Sequence, residues 1–181
     1  MTSYCEYAKG HPVHGPHHDH EHGFPAASDD ELFERLMLEI NQAGLSWEII
    51  LKKRHTMKEA YAGFSIDAVA AFDEDDRERL LSDAGIIRNR LKVNAAIVNA
   101  RQIQQLQRQF GSFAGWLDAH HPKSKDEWVK LFRKTFKFTG GEIVNEFLMS
   151  TGYLPGAHQA DCPVHAEVLA RSPAWAREEN Q

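Results

Sequence analysis

The two cysteines of this chain stand near its opposite ends, and each is accompanied by a histidine. Cys5 precedes His18 by thirteen residues, and Cys162 follows His158 by four. Zinc prefers four soft or borderline ligands in a closed tetrahedron, and cysteine and histidine pairs with short spacers commonly supply them. The spacing therefore favours a Cys2His2 metal site that joins the two ends of the chain.

Two other uses of the cysteines stay open on spacing alone: buried thiols without a ligand, or a disulfide in a secreted protein. No signal peptide precedes Cys5, and no apolar run approaches about 18 residues, which predicts a cytoplasmic protein without a membrane segment. Disulfides are rare in that compartment. The six histidines between His11 and His22 offer further ligands, but also weak adventitious binding of nickel or zinc.

Length and charge limit the architecture and the partners. A chain of 181 residues is long enough for one well-packed domain, which we place at residues 1–165 with two helical lobes, followed by a C-terminal tail at 166–181. The net charge of −5 is not that of a protein that coats a polyanion, so any contact with nucleic acid must come from local basic clusters. Such clusters occur at residues 52–58, 88–92 and 130–137.

Helix signals run along most of the chain. Capping boxes are predicted at residues 28–31, 124–127 and 139–142, each ahead of a run with helical spacing. A long amphipathic helix is predicted later, with its apolar positions at Leu91, Ile97, Val98, Ala100, Ile103 and Leu106. No stretch alternates with period two between turn signals, so the predicted fold class is all-α.

The junction at residues 80–92 combines a helix end, a glycine and several cations. Gly85 permits a turn with positive φ, and the backbone amides that follow it can receive a phosphate. Arg88, Arg90 and Lys92 add positive charge to the same place. The pattern fits a helix-hairpin-helix that grips a DNA strand by its backbone, and it also fits an ordinary helical corner with solvated basic side chains.

A second candidate site lies where two predicted helices meet. Glu39 falls close to the apolar stripe of one helix, and Trp47 begins the next helix beyond a tight turn at Gly44. A carboxylate and an indole at one corner can hold a flat heterocycle by hydrogen bonding and stacking. The alternative is a solvated glutamate beside a core tryptophan.

Several motifs in order give the chain a resemblance to the 3-methyladenine DNA glycosylase I family, a zinc-containing branch of the helix-hairpin-helix glycosylases. They are Gln42-Ala43-Gly44-Leu45-Ser46-Trp47 with Ile50-Leu51-Lys52-Lys53-Arg54, Asp83-Ala84-Gly85-Ile86-Ile87-Arg88, Phe136-Lys137-Phe138 with Gly140, and the spacing from His158 to Cys162. The match spans roughly residues 5 to 162.

The resemblance implies roles for individual positions. Cys5, His18, His158 and Cys162 match the four ligands of one structural zinc ion per chain. Glu39 matches the glutamate that hydrogen-bonds the flipped base, and Trp47 belongs to the same base-binding corner. The turn at Gly85 and Ile86, with Arg88, Arg90 and Lys92, is similar to the hairpin that binds DNA.

This chain departs from the family pattern around the base pocket. The family usually has Tyr-His-Asp-x-Glu-Trp-Gly where this chain has residues 17–23, so His17 replaces a tyrosine and His22 a tryptophan. His14 stands near an expected pocket aromatic, and Tyr7 replaces a tryptophan. We expect these four residues to contact the base. Because a protonated imidazole repels a cationic purine, we expect altered base selectivity and activity that falls toward pH 6.

The activity that the resemblance implies is a monofunctional DNA glycosylase of base excision repair. It would bind double-stranded DNA that contains alkylated bases, flip out 3-methyladenine and hydrolyse its N-glycosidic bond, most simply as a monomer. Two alternatives stay open: the same architecture acting on a different alkylated base, and a non-catalytic, zinc-tied protein that binds DNA lesions.

Overall fold

The computed structural model describes residues 1–177, and all regular secondary structure within them is helical, which confirms the all-α prediction. The helices are α1 (Tyr4–Ala8), α2 (His14–His20), α3 (Asp29–Gln42), α4 (Trp47–Ala60), α5 (Ile66–Ala70), α6 (Glu74–Leu81), α7 (Arg90–Phe110), α8 (Phe113–His120), α9 (Lys125–Thr135), α10 (Gly141–Ser150), α11 (Pro163–Ala170) and α12 (Ala174–Arg177), with a 3-10 turn at Ala62–Phe64. Among these residues no helix combines the length and apolarity that crossing a bilayer requires.

Side-chain caps begin two helices where the sequence predicts them. Ser28 Oγ accepts a hydrogen bond from the Glu31 amide at 3.1 Å, and Ser124 and Glu127 form the full reciprocal box at α9. The first box differs in one detail, because the Glu31 carboxylate accepts from the Ala27 amide at 2.7 Å instead of from the cap residue.

The capping box predicted at residues 139–142 is wrong. Thr139 is buried, and its hydroxyl donates to the carbonyl of Phe132 at 3.1 Å, so it does not cap α10. Gly140 takes the N-cap position and has no side chain to accept from the first amides. The start of α10 is therefore left without a side-chain cap.

Helix α7 is longer than its apolar pattern suggests and buries a slightly different face. Its buried apolar positions are Val93, Ala95, Ala96, Ile97, Ala100, Ile103 and Leu106. Leu91 and Val98, both predicted to face the core, are 67% and 38% exposed. Successive helix residues are separated by about 100°, so neither can share the face that Ile97 and Ala100 bury.

Helix α3 runs through the centre of the molecule and packs against α4, α5, α7, α8 and α10. Its apolar residues are almost fully buried; they are Leu32, Phe33, Leu36, Met37, Leu38 and Ile40. Four polar side chains in the same stretch of the helix are buried with them: Glu34, Arg35, Glu39 and Asn41. That placement decides the environment of Glu39.

The two ends of the chain meet. Phe24, which follows α2, packs with Val164 and Val168 of α11 in a small apolar cluster. The predicted boundary between residues 165 and 166 falls inside α11, and Val168 is buried beyond it. Residues 178–181 of the predicted tail lie outside the described residues.

Candidate active site and metal-ligand cluster

A cavity of about 830 Å³ lies between α3, the start of α4, the region of α2 and helix α10. Its lining comes from Tyr4, His17 and His22, from Glu39 and the corner at residues 42–47, from residues 140–149, and from residues 156–157. A volume of this size suits a ligand the size of a nucleobase with part of its sugar.

Glu39 presents a buried carboxyl group to the cavity. It is 7% exposed, and none of residues 1–177 forms a hydrogen bond or ion pair with it. Burial, and then the charge of Glu146 on α10, raise the pKa of Glu39 to about 8, while Arg35 acts in the opposite sense. An unpaired carboxyl group in such a place is costly, so a ligand that donates hydrogen bonds to it would be stabilising.

Aromatic rings surround this carboxyl group. The Trp47 ring lies 5.2 Å from the His17 ring with 61° between their planes, and the Tyr4 ring lies 5.4 Å from the His22 ring. All four residues line the cavity. Flat rings next to one acceptor group can sandwich a planar heterocycle and fix its orientation.

The predicted pocket residues are only partly brought together. Glu39, Trp47, His17 and His22 line the cavity. Tyr7 and His14 do not: Tyr7 is 51% exposed and packs its ring 5.1 Å from that of His14. Helix α1 places Tyr4 on the cavity instead, and its position directly before Cys5 is the sequence signal that could have revealed it.

Burial favours the neutral form of the two cavity histidines. It lowers the pKa of His17, and it lowers that of His22 well below its ordinary value. Both shifts oppose the protonation from which a loss of activity toward pH 6 is expected, and that expectation stays a prediction.

An ion-pair network lies behind His17. The Glu21 carboxylate is 3.6 Å from His17 Nδ1, longer than a hydrogen bond, and accepts from Arg54 at 2.5 Å. Burial raises the pKa of Glu21, but the His17 ring and Arg54 outweigh it and hold that pKa well below its ordinary value. Arg54 also donates to the buried carboxylate of Glu34 at 3.2 Å. The network holds the Glu21 carboxylate in place near Nδ1 of the His17 ring.

The guanidinium group of Arg35 donates its hydrogen bonds to backbone carbonyl groups. Arg35 is 4% exposed and donates to the carbonyls of Phe24 at 3.2 Å, of Glu21 at 2.9 Å, and of Ser150. It joins the segment after α2 to the end of α10. It forms no ion pair with Glu39 among the contacts of the described chain.

Cys5, His18, His158 and Cys162 converge into one cluster, with their ligand atoms all within 4.8 Å of one another. His158 Nδ1 lies 3.1 Å from His18 Nε2, 3.7 Å from Cys5 Sγ and 3.9 Å from Cys162 Sγ. The edges of a tetrahedron around a zinc ion with such ligands are about 3.3 to 3.8 Å. The four side chains form a possible metal-binding group with nearly that spacing.

The outer nitrogens of the two histidines fix which atoms face the cluster. His18 Nδ1 donates to the Asp19 carboxylate at 2.8 Å, and His158 Nε2 donates to the carbonyl of His22 at 2.5 Å. The lone pairs of His18 Nε2 and His158 Nδ1 are therefore directed at the cluster. Carboxylate and carbonyl partners of this kind are typical of histidines that bind a metal.

A second group of ligand-type residues, His11, His14 and Glu48, has a different chemistry. His11 Nδ1 accepts from the amides of Val13 and His14, both at 3.1 Å, so the proton of the neutral ring is on Nε2. That nitrogen points toward Glu48 at 3.7 Å. His11 thus acts as a cap for α2 and not as a free metal ligand.

Residues 82–89 join α6 to α7 in a tight turn, with Arg88 and Arg90 exposed on its surface. Gly85 is required there by close packing and not by a positive φ: a Cβ would lie 2.9 Å from the Thr56 Cβ. Lys53 and Thr56 of α4 donate to the carbonyls of Ala84 at 2.9 Å and Gly85 at 2.5 Å. Helix α4 thus holds the turn in place.

Two residues predicted to contact DNA are instead interior. Ile86 is 3% exposed and belongs to the core, so at most its backbone is available to a ligand. Lys92 is 4% exposed, and its ammonium group donates to the carbonyls of Asn41 and Ala43, both at 2.7 Å. Lys92 satisfies carbonyls at the end of α3 that the helix leaves free, and it does not belong to the basic surface.

Comparisons with known proteins agree on one family. A sequence model described as methyladenine glycosylase matches residues 7–130. The DNA-3-methyladenine glycosylase 1 of Escherichia coli (strain K12) is 36% identical over 177 residues, which are 87% of this chain and 94% of that protein. The structure of a 3-methyladenine DNA glycosylase I variant in complex with 3-methyladenine is 30% identical, with a TM-score of 0.81 over 90% of this chain and 97% of that one. The Staphylococcus aureus enzyme, solved to explain 3-methyladenine recognition, has a TM-score of 0.80 at 30% identity, over 89% of this chain and 95% of that one.

Proposed function

Because the chain belongs to the methyladenine glycosylase family, we propose that it releases 3-methyladenine from alkylated DNA by hydrolysis of the N-glycosidic bond. The relatives named above carry this activity in their names, and one was crystallised with the free base. The observation that carries the proposal to this chain is the buried, unpaired carboxyl group of Glu39 in a cavity lined by aromatic rings.

This reaction requires binding and orientation of the flipped base more than strong acid or base catalysis. Methylation at N3 makes the purine of the nucleotide cationic, so it leaves readily. The bond between C1′ and the base breaks with its electrons going to the base, water adds to C1′, and a proton is released. Glu39 would accept a hydrogen bond from the exocyclic amine of the flipped base, and Trp47 would cover its ring.

The cavity lining supports a monofunctional enzyme. Coupled strand cleavage requires a lysine that forms a Schiff base with C1′. Within the described chain, the residues that line the cavity include no lysine. Lys92, close in space to the corner at Ala43, is held by two carbonyl groups.

We also propose that the cluster of Cys5, His18, His158 and Cys162 holds one structural zinc ion. Its donor set and spacing fit zinc, and four protein ligands leave no position for a reacting water. Bound zinc would fix Tyr4, which precedes Cys5, and Ala157, which precedes His158, on the cavity lining. Its contribution would be to the shape of the base pocket.

For DNA binding we propose the turn between α6 and α7 as a helix-hairpin-helix. Arg88 and Arg90 are exposed there, and the first amides of α7 lie beside them. Phosphate contacts of this kind position a protein on DNA without reading sequence. We propose a monomer as the acting species. Arg88→Ala should weaken binding to all duplexes alike and reduce the salt slope by about 1.

The decisive experiment is release of free bases from methylated duplex DNA, resolved by chromatography. Wild type should release 3-methyladenine, and Glu39→Gln should slow release by at least about a hundredfold while binding to undamaged DNA is unchanged. Glu59→Gln, a change at an exposed glutamate paired with His55, serves as the control. Binding of lesions by wild type without any base release would overturn the proposal and favour a lesion-binding protein.

One observation favours a second candidate, release of a different alkylated base. His17 and His22 line the cavity, where the family resemblance leads us to expect a tyrosine and a tryptophan. A smaller imidazole face leaves more room beside the base. The same chromatogram distinguishes the two candidate functions, because each alkylated base has its own retention time.

A further inference from the structure

Glu146 places a second acidic side chain in the base cavity. It lies on α10, which packs directly against α3, and it lines the same cavity as Glu39. It forms no hydrogen bond or ion pair with any residue in the described part of the chain. The family resemblance assigns it no role.

The lining of the cavity within residues 1–177 includes no lysine or arginine to balance the two acids. Arg35 behind Glu39 is occupied by carbonyl groups. Burial raises the pKa of Glu146, as does the nearby charge of Glu142, while Lys125, which pairs with Glu142, acts in the opposite sense. The charge of Glu146 in turn adds to the effect of burial on Glu39.

An unbalanced pair of carboxyl groups makes the cavity unfavourable for anions and favourable for a diffuse cation. A neutral planar ligand gains stacking and a hydrogen bond there. A cationic ligand gains the same contacts and is also attracted by ionised carboxylate groups, which favours ionisation of Glu39 in the complex. The cavity therefore distinguishes ligands by charge as well as by shape.

We propose that Glu146 is a specificity-determining residue that, together with Glu39, makes the cavity select flipped bases carrying a delocalised positive charge over neutral bases of the same shape. The inference rests on the proposed glycosylase function and names its substrate class: purine nucleotides made cationic by alkylation of a ring nitrogen. Glu39 receives the base through a hydrogen bond, and Glu146 contributes charge.

Glu59 on α4 offers a control outside the cavity. It is not among the described residues that line the cavity, it is exposed, and it lies 3.0 Å from His55. Its charge is screened by solvent. A glutamine at this position changes the net charge of the protein as much as one at Glu146 does.

The test compares a cationic substrate with a neutral isostere for wild type, Glu146→Gln and Glu59→Gln. The substrate is methylated duplex DNA, measured as single-turnover release of 3-methyladenine. The isostere is a duplex with 3-deaza-3-methyl-2′-deoxyadenosine, in which carbon replaces the charged nitrogen, measured as binding affinity.

Glu146→Gln should slow release by about tenfold to a hundredfold, while affinity for the neutral isostere stays within about twofold. Glu59→Gln should change neither quantity by more than about twofold. Unchanged release by Glu146→Gln would overturn the inference. Equal losses on both probes would also overturn it, because they indicate a role in shape alone.

Failure of the proposed function gives a different result. A wild-type protein that releases no base overturns the glycosylase function directly. The ratio of its affinities for methylated duplex and for the neutral-isostere duplex still tests Glu146, since that ratio falls in Glu146→Gln only if charge selection operates.

Discussion

His18 Nε2 and His158 Nδ1 lie 3.1 Å apart although 140 residues separate them in the chain. Each ring has its other nitrogen hydrogen-bonded, to Asp19 and to the carbonyl of His22. Two lone pairs directed at one point repel each other unless a cation lies between them. The two rings are thus held in the arrangement that a bound metal ion would require.

Loss of the proposed zinc ion should accordingly loosen both ends of the chain. Cys162→Ser, or treatment with a strong chelator, should lower the melting temperature by on the order of 10 °C. It should also reduce the metal content from one equivalent toward zero, as measured by elemental analysis. His20→Asn, a change at an exposed neighbouring histidine, should alter neither quantity. An unchanged melting temperature after complete metal loss would contradict a structural role.

Lys92 should contribute stability and not affinity for DNA. Lys92→Met leaves the carbonyls of Asn41 and Ala43 without a partner, so the free energy of unfolding should fall by about 2–4 kcal/mol. Urea denaturation measures this directly. The exposed Arg90 provides the contrast, because Arg90→Met should cost less than about 0.5 kcal/mol and instead weaken binding to duplex DNA.

Glu39 should make the protein less stable as the pH rises. Its pKa is about 8 in the folded protein against an ordinary value of 4.5, so the folded state binds more protons than the unfolded state between those values. Stability from this group is complete below about pH 4.5 and is lost as the pH rises through about 8. Other titratable or charged groups surround the Glu39 carboxyl group; they are Glu146 on α10, Arg35 on α3, and the cavity residues Tyr4, His17, His22 and Glu142.

Glu39→Gln removes this dependence. The stability of the variant relative to wild type should therefore increase steadily from pH 5 to pH 8, by on the order of a few kcal/mol. Chemical denaturation at several pH values gives the measurement. A constant difference across that range would show that Glu39 titrates at its ordinary pKa.

Arg54 should contribute far more to the free energy of unfolding than its neighbour Lys58. It pairs with Glu21 and with the buried carboxylate of Glu34, whereas Lys58 is 53% exposed at its side chain and reaches Glu34 only at 3.7 Å. Arg54→Met should destabilise the protein by about 3 kcal/mol, and Lys58→Met by less than about 1 kcal/mol. Thermal unfolding of the two variants provides the comparison.

Arg54→Met should also slow base release, because Glu21 would lose the partner that holds it opposite His17. Rescue by Arg54→Lys, which keeps the charge, would identify the charge as the cause. A variant that loses stability but releases base at the wild-type rate would limit Arg54 to a structural role.

The sequence was most informative where function depends on local spacing. The spacing of two pairs at opposite ends predicts the four ligand-type residues, and they converge. The tight turn between Glu39 and Trp47 predicts a shared corner, and both line the cavity. A short turn limits the distance between Glu39 and Trp47, as the four-residue spacing does for His158 and Cys162.

The sequence was less informative where the environment comes from distant elements. Lys92 looks like a surface cation in the first turn of a helix, and only the position of the end of α3 makes it interior. Thr139 has the sequence pattern of a helix cap, but its hydroxyl donates instead to a carbonyl of the preceding helix. No local sequence pattern identifies Glu146 as a cavity residue, since its position on the cavity depends on the packing of α10 against α3.

The cavity is assembled from both ends of the polypeptide, and this has a consequence for synthesis. Tyr4 and His17 are synthesised long before the residues at 140–149 and 156–157 that complete the lining. The last of the clustered sulfurs, at Cys162, follows immediately. A nascent chain that stops before these residues therefore has no complete pocket, and it cannot enclose a base however much of the helical core it has formed.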